Sequence, residues 1–202
     1  MPDLPPAPST APLIPPRRQA ILDAAQRVFA RDGLPAATMR AIAREAGCTT
    51  GAIYPCFPGK EAIYAALLRD SLDRLRRHLA QERQAATRPR HVIQAFFDYY
   101  AQRQTEFSLG MYLFQGMGPH GLGRETDEDL NGRLAACIDE LGGGLAAQGA
   151  MHASTARLEQ MNVFTYLMGL LLLFHTRRLK SLNQQAQPLL DQFCDTLEQR
   201  QP

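Results

Sequence analysis

From Arg17 onward the apolar side chains recur at three- and four-residue spacings, the period of one face of an α-helix. Ile21, Leu22, Ala25, Val28 and Phe29 share a face, and Gly33 stands where a C-terminal glycine stops a helix, which predicts a helix over about 17 to 32. Thr38 is a favourable N-cap ahead of Met39, Ile42 and Ala46, with Gly47 ending that short helix. A third helix is expected to start at Thr49, which can cap it, to turn Ile53 toward the same core, and to be closed by Pro55 and Pro58. Gly59 then opens a long helix on which Ile63, Tyr64, Leu67, Leu68, Leu72, Leu75 and Leu79 keep the helical period.

Beyond Pro89 a helix is marked by Ile93, Phe96, Phe97 and Tyr100, and another by Met111, Tyr112 and Phe114. Gly116 to Gly123 reads as a loop. Thr126, followed by Asp127, Glu128 and Asp129, starts a helix with negative charge in its first turn, expected to break or bend at Gly142, Gly143 and Gly144. A helix from about Thr155 to Ser181 is apolar all round in its middle, and a last one from about Pro188 to Glu198 carries Leu190, Phe193 and Leu197. No period-two run and no repeat appears, so the fold class is all-α.

Composition narrows the class. The chain has 202 residues, 45% of them hydrophobic and 21% charged, with net charge +2, which describes a globular protein able to bury a core. Seven of its 14 prolines lie in Met1 to Pro16, a segment read as a disordered arm. No secretory signal is apparent, and the apolar run Val163 to Phe174 is well short of the roughly 20 residues of a membrane span. Cys48, Cys56, Cys137 and Cys194 form no metal-ligand or redox pair, so a reduced, cytoplasmic protein without metal or cofactor is expected. His78, His91, His120, His152 and His175 are dispersed, and Gly116 to Gly123 lacks the Lys-Ser/Thr ending of a phosphate loop, so no catalytic residue is assigned.

The informative stretch is Thr38 to Lys60, TMRAIAREAGCTTGAIYPCFPGK. Ala43, Gly47 and Ile53 stand at helix-turn-helix spacing: a small residue for close approach, a glycine free to take positive φ, and a wedge between the two helices. A plain helical hairpin would also carry the glycine turn. Charge favours DNA, because residues 17 to 60 hold seven Arg/Lys against three acids, a net +4. Thr38 and Thr49, at helix N-termini, can meet phosphate oxygens. Thr50 and Ala52, opposite Ile53, are candidates for base-edge contact, Gly51 permits close backbone approach, and Tyr54 and Lys60 can grip phosphates. Packing is the alternative role for Tyr54.

With Gly33, Thr38, Arg40, Ile42, Ala43, Gly47, Thr49, Gly51, Ile53, Tyr54, Phe57, Pro58, Lys60 and Glu61 in place, residues 17 to 65 resemble the DNA-binding domain of the TetR family of bacterial transcriptional regulators. Ala37, Pro55 and Cys56 depart from the family's usual residues, and Pro55 should end the recognition helix early. The resemblance implies a DNA-binding domain over 17–62, with Arg40 among its contacts, and an effector-binding and dimerisation body over 63–202. It also implies a homodimer on a palindromic double-stranded operator, acting more often as repressor than activator. A helical interaction module with weakened DNA reading is the alternative.

In the body, Phe96, Tyr100, Met111, Tyr112, Phe114, Phe164 and Met168 are candidates to line an effector pocket, plain core packing being the alternative for each. No cluster of Arg or His lies among them, so the effector is expected to be apolar or aromatic and largely uncharged. Leu158, Met161, Thr165, Met168 and Leu172 form a seam that, by the resemblance, belongs to a four-helix dimer interface, with His175 a hydrogen-bonded residue at its end.

Overall fold

The computed structural model describes residues 16–33, 36–112, 122–147 and 156–199, and every regular element among them is helical. The chain divides into two compact units between Ile63 and Tyr64. The first holds α1 (Pro16–Asp32), α2 (Met39–Glu45), one 3-10 turn (Thr50–Ala52) and the start of α3 (Lys60–Ala85). The proline at the head of α1 loses no hydrogen bond there, since the first N–H groups of a helix have no internal partner. Gly33 ends α1 at φ +74°, the left-handed conformation a glycine adopts without cost, as the sequence predicts. The proposed disordered arm, apart from Pro16, lies outside the described residues.

The second unit contains the rest of α3, then α4 (Pro89–Ala101), α5 (Gln104–Tyr112), α6 (Arg124–Ala147), α7 (Ala156–His175), α8 (Arg178–Ser181) and α9 (Ala186–Gln199). Helix α4 is central, packed against α5, α6, α7 and α9, and Val92, Ile93, Phe96, Phe97, Tyr99 and Tyr100 are all buried on it. Ion pairs Arg69–Asp129, Arg133–Asp73 and Arg83–Glu140 tie α3 to α6 along their exposed edge. The buried Cys137 thiol donates to the Leu72 carbonyl at 3.3 Å, and burial pushes it up to about 12, so it stays protonated.

Four expectations change. The glycines at 142–144 do not break α6: Gly142 is buried at the crossing with α7, where an added Cβ would lie 1.9 Å from the Gln160 Nε2. Gly142 serves close approach there, the other use of a missing side chain. Helix α6 begins at Arg124, two residues before Thr126, with the Leu122 N–H donating to Asp127 Oδ1 at 2.9 Å. The expected helix to Ser181 is divided at Thr176 and Arg177, the latter at φ +58°, into α7 and the one-turn α8. Helix α5 starts at Gln104, upstream of the Met111 cluster; Phe114 and most of the loop expected at 116–123 lie outside the described residues.

Candidate DNA-reading turn and effector cavity

Helix α2 opens on Thr38, whose hydroxyl oxygen accepts the Ala41 N–H at 3.1 Å. It closes with Cys48 N–H donating to Ala43 O at 2.9 Å and Gly47 N–H to Arg44 O at 3.2 Å, around Gly47 at φ +65°. This pair of bonds satisfies the end carbonyls and turns the chain sharply, which only glycine does without strain. Ile53 and Ile42 are fully buried and Ala43 nearly so, so the wedge, the core residue and the small contact residue fall together as their spacing requires.

The element after this turn is shorter than expected. Instead of an α-helix capped by Thr49, the chain makes a 3-10 turn at Thr50–Ala52, and Thr49 makes no side-chain cap bond. Ala52 and Ile53 donate to Thr49 O and Thr50 O at 3.0 Å, and Cys56 and Phe57 both donate to Ile53 O. Pro55 explains this: it has no N–H for the Gly51 carbonyl, and its ring disfavours helical geometry at Tyr54.

The surface so formed is polar and open. Thr38, Arg40, Thr49 and Gly51 are exposed, Thr50, Ala52 and Lys60 half-buried, and Tyr54 is 53% exposed, turned outward rather than packed. Not every basic side chain is available. Arg27 and Arg31 grip Glu45 at 2.8 and 3.1 Å, locking α1 to α2, and hold its carboxyl below the usual carboxylate range. Arg18 stacks over the buried Phe57 ring, 4.8 Å from its centroid. Arg17, Arg40 and Arg44 remain exposed beside the turn residues, on a unit whose α1–α2 scaffold is stapled by these ion pairs.

In the second unit a cavity of about 220 Å³ lies among five helices. Leu68 and Leu72 come from α3, Phe96 and Tyr100 from α4, Phe107 and Gly110 from α5, Leu130, Asn131 and Leu134 from α6, Phe164 and Met168 from α7. The rings meet edge to face: Phe96 with Phe164 at 6.2 Å and with Tyr100 at 5.4 Å, Tyr100 with Phe107 at 5.8 Å. Four candidates thus come together, Phe96, Tyr100, Phe164 and Met168. Met111 is half-buried but no part of this wall, the side chain of Tyr112 is not described, and Phe114 falls outside. Sequence periodicity misses Phe107, because it marks this helix only from Met111 onward; the three-residue step from Phe107 to Gly110 is the available signal.

His175, at the end of α7, donates from Nε2 to the Tyr100 carbonyl at 3.0 Å and stacks on Phe107 at 5.0 Å. On the opposite side of α7 from buried Val163, Leu167, Leu170 and Leu171, the residues Leu158, Met161, Thr165 and Leu172 stand exposed. Beside them Tyr166 stacks flat on Phe193 of α9 at 3.9 Å and its hydroxyl donates to Leu189 O. Among the described residues no cluster could hold a metal ion, and no helix is long and apolar enough to cross a membrane.

A short α2, a glycine turn and an outward-facing turn braced by a buried wedge define a helix-turn-helix DNA-binding protein. Residues 21–67 match the family model described as bacterial regulatory proteins, tetR family. The HTH-type transcriptional regulator TtgW of Pseudomonas putida is 33% identical over 105 residues, covering 52% of this chain and 78% of the relative. SrpR of Pseudomonas putida, also an HTH-type transcriptional regulator, is 29% identical over 170 residues, 84% of this chain and 78% of its own. The fold is similar to that of the transcriptional regulator FadR from Bacillus subtilis in complex with stearoyl-CoA, with TM-score 0.68 at 18% identity over 89% of this chain and 96% of that one. The chain belongs to the TetR family of bacterial regulatory proteins and is a DNA-binding transcriptional regulator.

Proposed function

We propose that the protein is a dimeric repressor that holds a palindromic operator through two copies of the Thr38–Lys60 surface and is released when a small, largely uncharged, apolar or aromatic effector enters the cavity of the second unit. The reader spans 17–62 and the effector-binding, dimerising body 63–202. The observation that carries this reading is the pairing of an outward, basic helix-turn-helix with an aromatic-lined cavity on one chain.

In the reader, Thr38 still has its hydroxyl hydrogen to offer a phosphate after accepting from Ala41, and Thr49, making no cap bond, offers the same. Arg40, Tyr54 and Lys60 hold phosphates. Thr50 and Ala52, at the tip of the 3-10 turn, meet base edges, their methyl groups suited to thymine, while Gly51 between them lets the backbone come close. In mobility shifts on DNA upstream of the protein's own gene, Thr50→Ala is expected to alter base preference and Tyr54→Phe to weaken all sites alike. Lys60→Ala should lower the slope of log affinity against log salt by about one unit. Wild-type binding by all three variants would remove the helix-turn-helix as the reader.

Release requires that the effector bind one conformation of the dimer better than the other. Helix α3 belongs to both units, and in the second its Tyr64 hydroxyl donates to the Leu109 carbonyl of α5 at 2.6 Å. Phe107 and Gly110 on that same helix line the cavity, so a ligand displacing α5 acts on α3 through a buried hydrogen bond. Phe164→Arg places a charge in the apolar wall at some cost in thermal stability, and a variant that still folds and binds the operator is expected to have lost release; Phe164→Leu keeps the wall apolar and keeps release. Release of the Arg variant by the same compounds as wild type would show that the effector binds elsewhere.

A further inference from the structure

The base-reading tip is short, and the core holds it at its far end. The chain enters it from the turn at Gly47, and beyond it Ile53 and Phe57 are buried, with relative exposures of 0% and 2%. Within it Ala52 and Ile53 donate to the Thr49 and Thr50 carbonyls, each three residues back, at 3.0 Å. Continuing as an α-helix would need a bond from residue 55 to the Gly51 carbonyl, and Pro55 has no N–H to make it. Pro55 itself is exposed, so its ring fills no space in the core.

The reach of the tip along a DNA groove follows from its length. A 3-10 turn rises about 2.0 Å per residue, so Thr50–Ala52 covers about 6 Å, or two base-pair steps of about 3.4 Å. An α-helix continued to Cys56 would cover about 10 Å, or three steps. The side chains do not extend this reach. Thr50, Gly51 and Ala52 are short, and they offer neither the paired donors with which Arg reads guanine nor the amide with which Asn or Gln reads adenine. What Thr50 and Ala52 present to a base edge is chiefly methyl, which suits the C5 methyl of thymine. The exposed cations Arg17, Arg40 and Arg44 lie on α1 and α2, and in helix-turn-helix docking the helix ahead of the reader crosses the phosphate backbone.

We propose, resting on the operator reading above, that Pro55 is a positioning residue that sets operator specificity: by holding the reader to one 3-10 turn, it confines direct base contact to about two or three adjacent base pairs in each half-site, read through thymine methyl groups.

The full-length protein is used to select its site from random duplex DNA. The selected duplex is then rebuilt one position at a time with uracil for thymine or 7-deazapurine for purine, replacements that remove a major-groove contact and keep the pairing. For wild type, losses of about 3-fold or more, the size of one lost methyl contact, are expected only within two or three adjacent base pairs of each half-site, thymine among them. Pro55→Ala supplies the missing N–H and the best helix former without removing buried surface, and its losses should spread to at least one further pair in each half-site. Pro55→Gly supplies the same N–H with poor helix propensity and should keep the wild-type pattern. A wider pattern in wild type, an unchanged pattern in Pro55→Ala, or a contacted pair lost in Pro55→Gly, which would show the proline ring itself on a base, each overturns the proposal. All three leave the operator reading standing, because a specific site has then been selected. If wild type enriches no sequence and binds all duplexes alike, the operator reading fails and this proposal fails with it.

Discussion

Replacing Ile53 with alanine is expected to abolish operator binding and to destabilise the DNA-reading unit by about 2–5 kcal/mol, the cost of truncating a fully buried Ile or Leu side chain. The size of the effect comes from how little else fixes this segment. A single 3-10 turn, Thr50–Ala52, has no α-helical ladder, and one isolated turn has no stability of its own in water. Its geometry is set by Ile53, which is fully buried and whose carbonyl receives both Cys56 and Phe57. Take the wedge away and the turn keeps its local bonds but loses the packing that aims Thr50 and Ala52 outward. Circular dichroism on heating should show loss of a low-temperature component, and mobility shift should show no specific complex. Ile53→Val, costing about 0.5–1.5 kcal/mol, should bind. An Ile53→Ala protein that shifts the operator at wild-type concentration would mean that Pro55 and the local hydrogen bonds hold the turn without the core.

That segment also shows where sequence reading succeeds and where it stops. Gly33, Gly47 and Ile53 act through local geometry or through a spacing that admits one arrangement, and each sits where the pattern places it. Pro55 signals that the third helix is short, yet whether a truncated α-helix or a 3-10 turn results depends on packing around Ile53 and Phe57, which no local rule contains. The three glycines at 142–144 mislead for a related reason. Glycine lowers helix propensity by about 1 kcal/mol against alanine, but a helix held by neighbours on α4 and α7 absorbs that, and a side chain at position 142 would have to displace the Gln160 side chain. The break between α7 and α8 is invisible in the sequence because Arg177 is an ordinary residue in a left-handed conformation. In the cavity, Phe96, Tyr100, Phe164 and Met168 are legible as an unusual gathering of rings and sulfur. The buried group in which Glu106 of α5 takes the Ser71 hydroxyl and the Arg74 guanidinium of α3 is not, since residues contributed by two different helices have no sequence spacing that marks them.

Charging the exposed face of α7 is expected to have the largest effect on DNA binding of any surface change. Leu158, Met161 and Leu172 are 63%, 38% and 42% exposed, and with Thr165 they fall within about one third of the helix circumference. On the proposed dimer reading, a second copy of the same helix pair covers this stripe about a two-fold axis. The neighbouring Tyr166–Phe193 stack keeps α9 in a fixed position beside it, as a four-helix interface requires. Because the stripe is exposed, Met161→Glu combined with Leu172→Glu should leave the fold of each chain intact and separate the chains. Sedimentation at micromolar concentration should then change from about twice the chain mass to 22.4 kDa. Operator affinity should fall by about 10²- to 10⁴-fold, because each reader then binds a half-site without the high effective concentration supplied by its tethered partner. A DNA fragment bearing only one half-site sharpens the test: wild type should lose on it most of what the double variant loses on the full operator, and the double variant should bind both fragments alike. If the double variant still sediments as a dimer and binds the full operator as wild type does, the chains associate through a different face and this stripe on α7 needs another partner.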